Sequence, residues 1–504
     1  MKNLKYAFAL SLLSVASQAF AQYEVDALRF SRTQFGGPAR TLGIGGANVA
    51  VGADLGNLSS NPAGLGLFQR SEFSFTPGTG LGNTESTGLG ATTTDSRNSL
   101  HVGSLGAAFT NRRPDSDTAN PWRAGTFAVG LTRLNDFNTS FRYNGRAEVG
   151  SDIFERLSQD RGQTLDDLAF NTYLTDTDSR NRTVISQPFE NVGANAGYLN
   201  QSETVVTTGS QTQFDFGYGA SYHDKLYIGG AIGIVSTRYN STSTFQANDP
   251  DPGTGPGTSF SNLTLRDDLH TQGSGFNARL GVIYRLTDIV RLGAAVHSPT
   301  YMRLTESYSS SLQASFNRPV TVDGQQYSSA SDQSDLGDFD YTLTTPSRAS
   351  GGATVLVGKY GFLSGDVEYV DYSQARLSND NTAEDPNNTG SRYDFGPHND
   401  AIRSLYRSAV NLRVGGEARY DAFRFRLGYA RYGDPYQAND FDRTRQYVTG
   451  GLGLRQNNFF VDVAGVYNTD KRFYRPYELT NGRGPVISVD ANRFTTSVTA
   501  GITF

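Results

Sequence analysis

The sequence predicts an all-β protein: a 14-stranded antiparallel transmembrane β-barrel whose lumen is filled by an N-terminal hatch. Three observations carry this. From Ser71 onward, apolar and polar side chains alternate over segments of about ten residues. The connections between those segments are alternately tight and long. A glycine-rich stretch near the N-terminus has too little apolar surface to offset its own ordering entropy, so it needs a container.

Composition agrees. The 504 residues include 56 Gly, 27 Tyr and 31 Phe but only 37% hydrophobic residues, as expected where half of every strand faces water. A net charge of −5 without a basic run leaves nothing to follow phosphates, so no nucleic-acid partner is expected. The absence of Cys excludes disulfide staples and thiolate metal sites, and suits an exported chain.

Residues 1–21 combine Lys2 and Lys5, an apolar run from Tyr6 to Val15, and Ala19-Phe20-Ala21 before Gln22. That is the pattern of a secretory signal, with the mature chain beginning near Gln22. No later window holds the roughly 18 consecutive apolar residues of a membrane-spanning helix.

The hatch is expected over residues 22–70. Its centre, Gly36 to Phe68, contains Gly45 and Gly46, the single acid Asp54, and Asn61-Pro62-Ala63-Gly64-Leu65. Glycine allows close backbone approach and positive φ, while Pro62 fixes a bend after an Asn able to bond its own backbone.

The barrel is expected over residues 71–504. Its alternating segments are 72–77, 99–110, 124–135, 211–223, 225–239, 273–285, 289–303, 347–358, 361–374, 407–420, 423–433, 446–455, 458–468 and 493–504. Tight turns at His223-Asp224-Lys225, Arg285 to Asp288, Gly358 to Gly361, Asp421-Ala422 and Arg455 to Asn458 alternate with long connections at 136–210, 240–272, 304–346, 375–406, 434–445 and 469–492. Sorting by parity puts the turns in the periplasm and the loops outside the cell. The link 111–123 is long for a periplasmic turn. The last segment ends on Phe504, an aromatic terminus of the kind outer-membrane barrels carry as an assembly signal.

Alternation also assigns the faces. Val282, Tyr284, Leu292, Val296, Val355, Val410, Leu412, Val414, Phe425, Leu427 and Tyr429 should meet lipid. The intervening Arg348, Asp366, Glu368, Arg413, Glu417, Arg424 and Arg426 belong in the lumen, because charge facing lipid costs about 2–4 kcal/mol near the midplane. Opposite signs on neighbouring strands read as a ladder bracing wall and hatch, or as a path for substrate.

In the longest loop, residues 151–174 read as two short amphipathic helices. Ile153, Phe154, Leu157, Leu165 and Leu168 are either the core of a folded loop or a greasy surface that captures ligand. The acidic stretches at 248–253 and 380–386 lack the spacing of a calcium loop. Five scattered histidines give no metal spacing, and no nucleophile elbow or phosphate loop is present, so neither a metal nor a cofactor nor an enzymatic activity is expected. His101 and His297, both on barrel strands, are the places to look if the barrel is a hydrolase.

The run GGPARTLGIGGANVAVGADLGNLSSNPAGL resembles the hatch of the FadL/TodX family of outer-membrane transporters, and TTPSRASGGATVLV and GDVEYVDYS extend the resemblance along the chain. The resemblance implies a monomeric 14-stranded barrel that passes a hydrophobic small molecule, such as a long-chain fatty acid or an aromatic hydrocarbon, through the outer membrane. It implies capture by the loops, a pocket beside the hatch, hatch rearrangement, and sideways exit through the wall. The other partners implied are outer-membrane lipid, lipopolysaccharide and the barrel-assembly machinery. The alternative is a barrel of this type serving as a partner-binding platform for protein secretion or surface display.

Overall fold

The computed structural model describes residues 18–504 apart from 115, 118, 149, 160–161, 193–197, 252, 380–392, 481 and 483. Most of the expected leader and the acidic stretch 380–386 therefore lie outside the described residues.

Fourteen antiparallel strands close into a barrel. They are β1 (Glu72–Gly88), β2 (Ala91–Arg112), β3 (Trp122–Asp136 continuing as Thr139–Glu148), β4 (Tyr198–Tyr222), β5 (Leu226–Asn248), β6 (Phe260–Arg285), β7 (Val290–His297 continuing as Tyr301–Val322), β8 (Gln325–Gln333, Gly337–Thr344 and Arg348–Leu356), β9 (Gly361–Asp371, with Arg376–Asn379 beyond it), β10 (Ser408–Tyr420), β11 (Phe423–Tyr432), β12 (Arg445–Gln456), β13 (Phe459–Tyr474) and β14 (Ile487–Thr503). The seam closes where β1 pairs β14, from Glu72 opposite Thr503 to Thr87 opposite Ser488. Ser71 and Phe504 finish it by exchanging backbone hydrogen bonds of 3.1 and 2.9 Å.

All fourteen expected segments fall on these strands, but the strands are longer. β4 runs for 25 residues and β6 for 26, where about ten suffice to cross a bilayer. Much of what reads in the sequence as long connections is therefore strand standing clear of the membrane on the loop side. There the outward face meets water in place of lipid and carries Ser, Thr and Asn, so the apolar half of the period is lost while the inward face packs against the outer layer. Residues 78–98 likewise form the hairpin of β1 and β2, whose turn, Leu89-Gly90, has positive φ at both positions.

The lipid-facing set is as the alternation predicts. Leu292, Val296, Val355, Val410, Leu412, Val414, Phe425, Leu427 and Tyr429 are exposed on the outer wall. Among the described residues no helix is long and apolar enough to cross a membrane. The architecture is that of an outer-membrane barrel.

Two proline-containing breaks sit side by side in the wall. β7 is interrupted at Ser298-Pro299-Thr300 and β8 at Thr345-Pro346-Ser347, positions where proline removes ladder donors. Thr300 and Thr345 bridge the breaks: the Thr300 amide donates to Thr345 Oγ1 at 2.9 Å and the Thr345 amide to the Thr300 carbonyl at 3.0 Å.

Inside the lumen, the N-terminal segment has two parts. α1 (Gln18–Ser31) lies high, where Ala27, Leu28 and Phe30 pack among Phe137, Tyr239, Met302, Tyr341 and Ile402. It runs through the expected cleavage point at Ala21, and the sequence reading did not anticipate it. Below it, the glycine-rich stretch forms α2 (Ala39–Gly43) and two 3₁₀ turns, Leu55–Leu58 and Pro62–Leu67. Above the barrel, α3 (Ile153–Leu157) and α4 (Thr164–Asn171) fold over the strand tips, and α5 (Gly396–Leu405) covers α1. His398 of α5 meets Glu24 of α1 at 2.9 Å.

Candidate functional site

The hatch is held by short polar contacts and by backbone packed directly on backbone. Asp54 caps the first 3₁₀ turn, accepting from the Gly56 amide and from Thr41 Oγ1, both at 2.7 Å. Asn61 caps the second, accepting from the Ala63 amide at 3.1 Å, with Pro62 in the first turn where a missing donor costs nothing. The Asn61 amide group also donates to the Val49 carbonyl at 2.7 Å. Ala63 is fully buried against Leu67, Tyr227 and Ile283. Gly45 and Gly46 both have positive φ, and a Cβ on Gly45 would lie 3.0 Å from the Tyr429 backbone nitrogen. The wall answers with its own glycines: a Cβ on Gly281 would lie 1.8 Å from Asn61 Oδ1, and one on Gly229 2.3 Å from the Pro62 carbonyl oxygen. These wall glycines are the part of the hatch seat that sequence reasoning missed.

The lumen charges brace this seat. Glu417 meets Arg426 at 2.8 Å, Arg419 at 2.7 Å and the hatch residue Arg40 at 3.5 Å. Arg426 also meets Asp462 at 2.7 Å. Glu368 pairs with Arg413 at 3.0 Å, and Asp366 accepts from the hatch amide of Val49 at 2.9 Å. Arg348 faces the hatch instead of a carboxylate, donating to Thr33 Oγ1 at 2.5 Å and to the Ser31 carbonyl. Arg424 also faces the lumen, in a recess it shares with Glu417 and Asp462. Its guanidinium donates to the carbonyls of Asp421 and Phe423 in its own turn, at 2.7 and 2.8 Å, and among the described residues no carboxylate lies within pairing distance.

Above the hatch lies a cavity of about 500 Å³, within the range that holds one small organic molecule. Its walls come from α1, β1, β2, β3, the segment 436–447 and β13. Phe137, Tyr239, Phe441 and Tyr447 supply aromatic surface, beside Leu28. Cationic groups crowd in from several sides, so the cavity is amphipathic.

One side of this cavity coincides with a discontinuity in the wall. β2 pairs β3 only from Ser104 opposite Thr132 to Arg112 opposite Ala124. Beyond that point the β2 residues Ala91 to His101 pair β1 alone, and the β3 residues Thr139 to Glu148 pair β4 alone. The upper arm of β3 instead crosses the inner side of the β1–β2 hairpin on side-chain bonds. Thr84 Oγ1 donates to the Ser140 carbonyl at 2.7 Å, Arg142 Nε to the Thr94 carbonyl at 3.1 Å, and Ser140 Oγ to Asp95 at 2.5 Å. Leu100, at this unpaired edge, is 86% exposed.

The loop residues singled out from the sequence do not form a surface. Ile153, Phe154, Leu157 and Leu168 are buried, and Leu165 half-buried, in a cluster with Leu199, Phe245, Phe260, Leu312 and Tyr477. They are the core of a folded outer layer. His297 contacts the carbonyl of Ser60 in the hatch, at 2.8 Å, and not its hydroxyl. Among the described residues no three His, Cys, Asp or Glu side chains group as a metal site.

No family profile and no curated protein matches this sequence. Solved structures do match the fold. A FadL homologue of Pseudomonas aeruginosa superposes with a TM-score of 0.52 at 12% identity, covering 94% of this chain and 99% of its own. The toluene transporter TodX of P. putida gives 0.51 at 13% identity, covering 94% and 99%. The chain has the FadL/TodX fold. At such identities the likeness speaks for architecture alone.

Proposed function

We propose that the protein takes up a hydrophobic small molecule passively across the outer membrane, with the hatch as its gate. The observation that carries this reading is the cavity of about 500 Å³ that touches both the hatch helix α1 and the stretch where β2 and β3 stop pairing. A hydrophobic solute stalls at the polar lipopolysaccharide leaflet, and a water-filled pore offers it no favourable site. A cavity with aromatic surface does. Ligand entering between the outer loops reaches the cavity. A shift of the hatch then opens the way to the wall, and the unpaired edge near Leu100 lets it leave sideways into lipid. The mature chain in this reading begins near Gln22, with residues 22–70 as hatch and 71–504 as barrel.

Locking the hatch tests the gate. The Ala39 amide lies 2.7 Å from Thr499 Oγ1 on β14, and the chain has no cysteine of its own. The disulfide-bonded Ala39→Cys/Thr499→Cys barrel should lose uptake of a labelled hydrophobic solute and regain it with reductant. Equal uptake in both states refutes hatch gating. The folded outer layer around Leu157 favours a second reading, a platform for a secreted or displayed protein. Saturable uptake without any stable co-purifying protein decides against it.

A further inference from the structure

Nine cationic side chains border the cavity above the hatch, against three carboxylates. Five of the cations are matched: Arg29 with Asp26, Arg443 with Asp440, Arg445 with Asp470, Lys471 with Asp490 and Arg493 with Asp136. Arg475 is exposed at the rim. Arg32, Arg97 and Arg472 remain; among the described residues none has a carboxylate within pairing distance, and Asp470, which acts on Arg32 and Arg472 at longer range, is already paired with Arg445.

Their surroundings do not replace one. Arg32, 6% exposed, donates to the carbonyls of Gly433 and Arg443 at 3.3 and 3.0 Å, while its Nε is buried without a partner. Arg97 Nε is likewise buried and unpartnered. Arg472 donates to Thr139 Oγ1 at 3.3 Å and lies over the Phe141 ring at 5.0 Å, with Asp470 acting on it beyond pairing distance. Burial, and then Arg445 nearby, holds the Arg32 guanidinium below its ordinary pKa by more than Asp470 offsets. A buried charge left unmatched is costly, and arginine is the side chain that grips phosphate through several donors at once.

Resting on the uptake reading above, we propose that this cavity is built for an amphiphile with a dianionic head of the phosphate-monoester class, its tail lying against Phe137, Tyr239 and Phe441. One carboxylate leaves two of the three guanidiniums unmatched, and a neutral hydrocarbon leaves all three. A dianion leaves one, which the carbonyls beside Arg32 already serve.

The test is calorimetric titration of the full barrel in non-ionic detergent at pH 7.5 with three ligands of one chain length: dodecanol, dodecanoate and dodecyl phosphate. Dodecyl phosphate should bind at least about tenfold more tightly than dodecanoate, and dodecanoate more tightly than dodecanol. The gap should shrink in high salt and in Arg32→Gln and Arg472→Gln, each checked for normal heat-modifiable mobility. Equal affinities with normal dodecanol uptake overturn the dianion assignment and leave the uptake reading standing. No binding and no uptake of any of the three overturns both.

Discussion

The side-chain amide of Asn61 donates to the carbonyl of Val282 on β6, 3.3 Å away, and so ties the hatch to the wall at the point where Gly281 leaves room for it. Replacing Gly281 with alanine puts a methyl group into that space. The expected result is a hatch pushed off its seat within an intact barrel, at a cost of about 1–3 kcal/mol. Hydrogen exchange should rise around Val49 and Asn61 in Gly281→Ala. It should not rise in Gly450→Ala, whose added Cβ meets nothing nearer than 3.8 Å.

Arg426 is the hinge of the lumen charges, touching Glu417 and Asp462 at once while itself 2% exposed. Arg426→Met leaves two buried carboxylates short of a partner. It should destabilise the barrel to urea by about 3 kcal/mol, with Arg419, Arg40 and Arg455 limiting the loss. Adding Asp462→Asn should recover part of it.

The outer layer should respond to pH through Asp152. Its carboxyl caps α3, accepting from the Glu155 amide at 3.1 Å, and burial pushes its pKa up to about 6. A raised carboxyl pKa means that the folded layer keeps a proton the unfolded one releases. Its contribution is therefore complete below about pH 4 and is lost as pH rises through about 6. Exchange at 153–171, corrected for intrinsic rate, should be slower at pH 4.5 than at pH 7. Asp152→Asn should keep the cap and flatten the dependence.

Strand parity places Thr254 at the loop end and Asp224 and Ala422 at the turn end. A tag at Thr254 should be reachable on intact cells, and tags at Asp224 or Ala422 should not. Labelling at Asp224 without permeabilisation contradicts the orientation.

How far the sequence reaches depends on what each residue must answer to. Strands such as β10 and β11 were legible because lipid on one side and charge on the other enforce a period of two. The hatch turn was legible because Asn61 and Pro62 act locally. Alternation gave Arg424 its face but not its height along the strand, and so not its hydrogen-bond partners. The crossing of β3 behind the first hairpin left no trace, since most of its bonds run from polar side chains to backbone carbonyls that any sequence has. α1 was overlooked because its start overlaps the leader pattern. Arg32, Arg97 and Arg472 lie far apart in the chain, so only the closed lumen makes their shared lack of carboxylates visible.

The pairing of β1 with β14 also dictates an order of events. The first strand waits for the last, so the ring cannot shut until residues near Phe504 have arrived. The hatch precedes β1 and is too closely packed against Gly229, Gly281 and Gly428 to be threaded in afterwards. It must be captured while the sheet is still an open curl, and the wall then zips around it. On this view the hatch is a mandrel before it is a gate: the template on which the barrel's curvature is set.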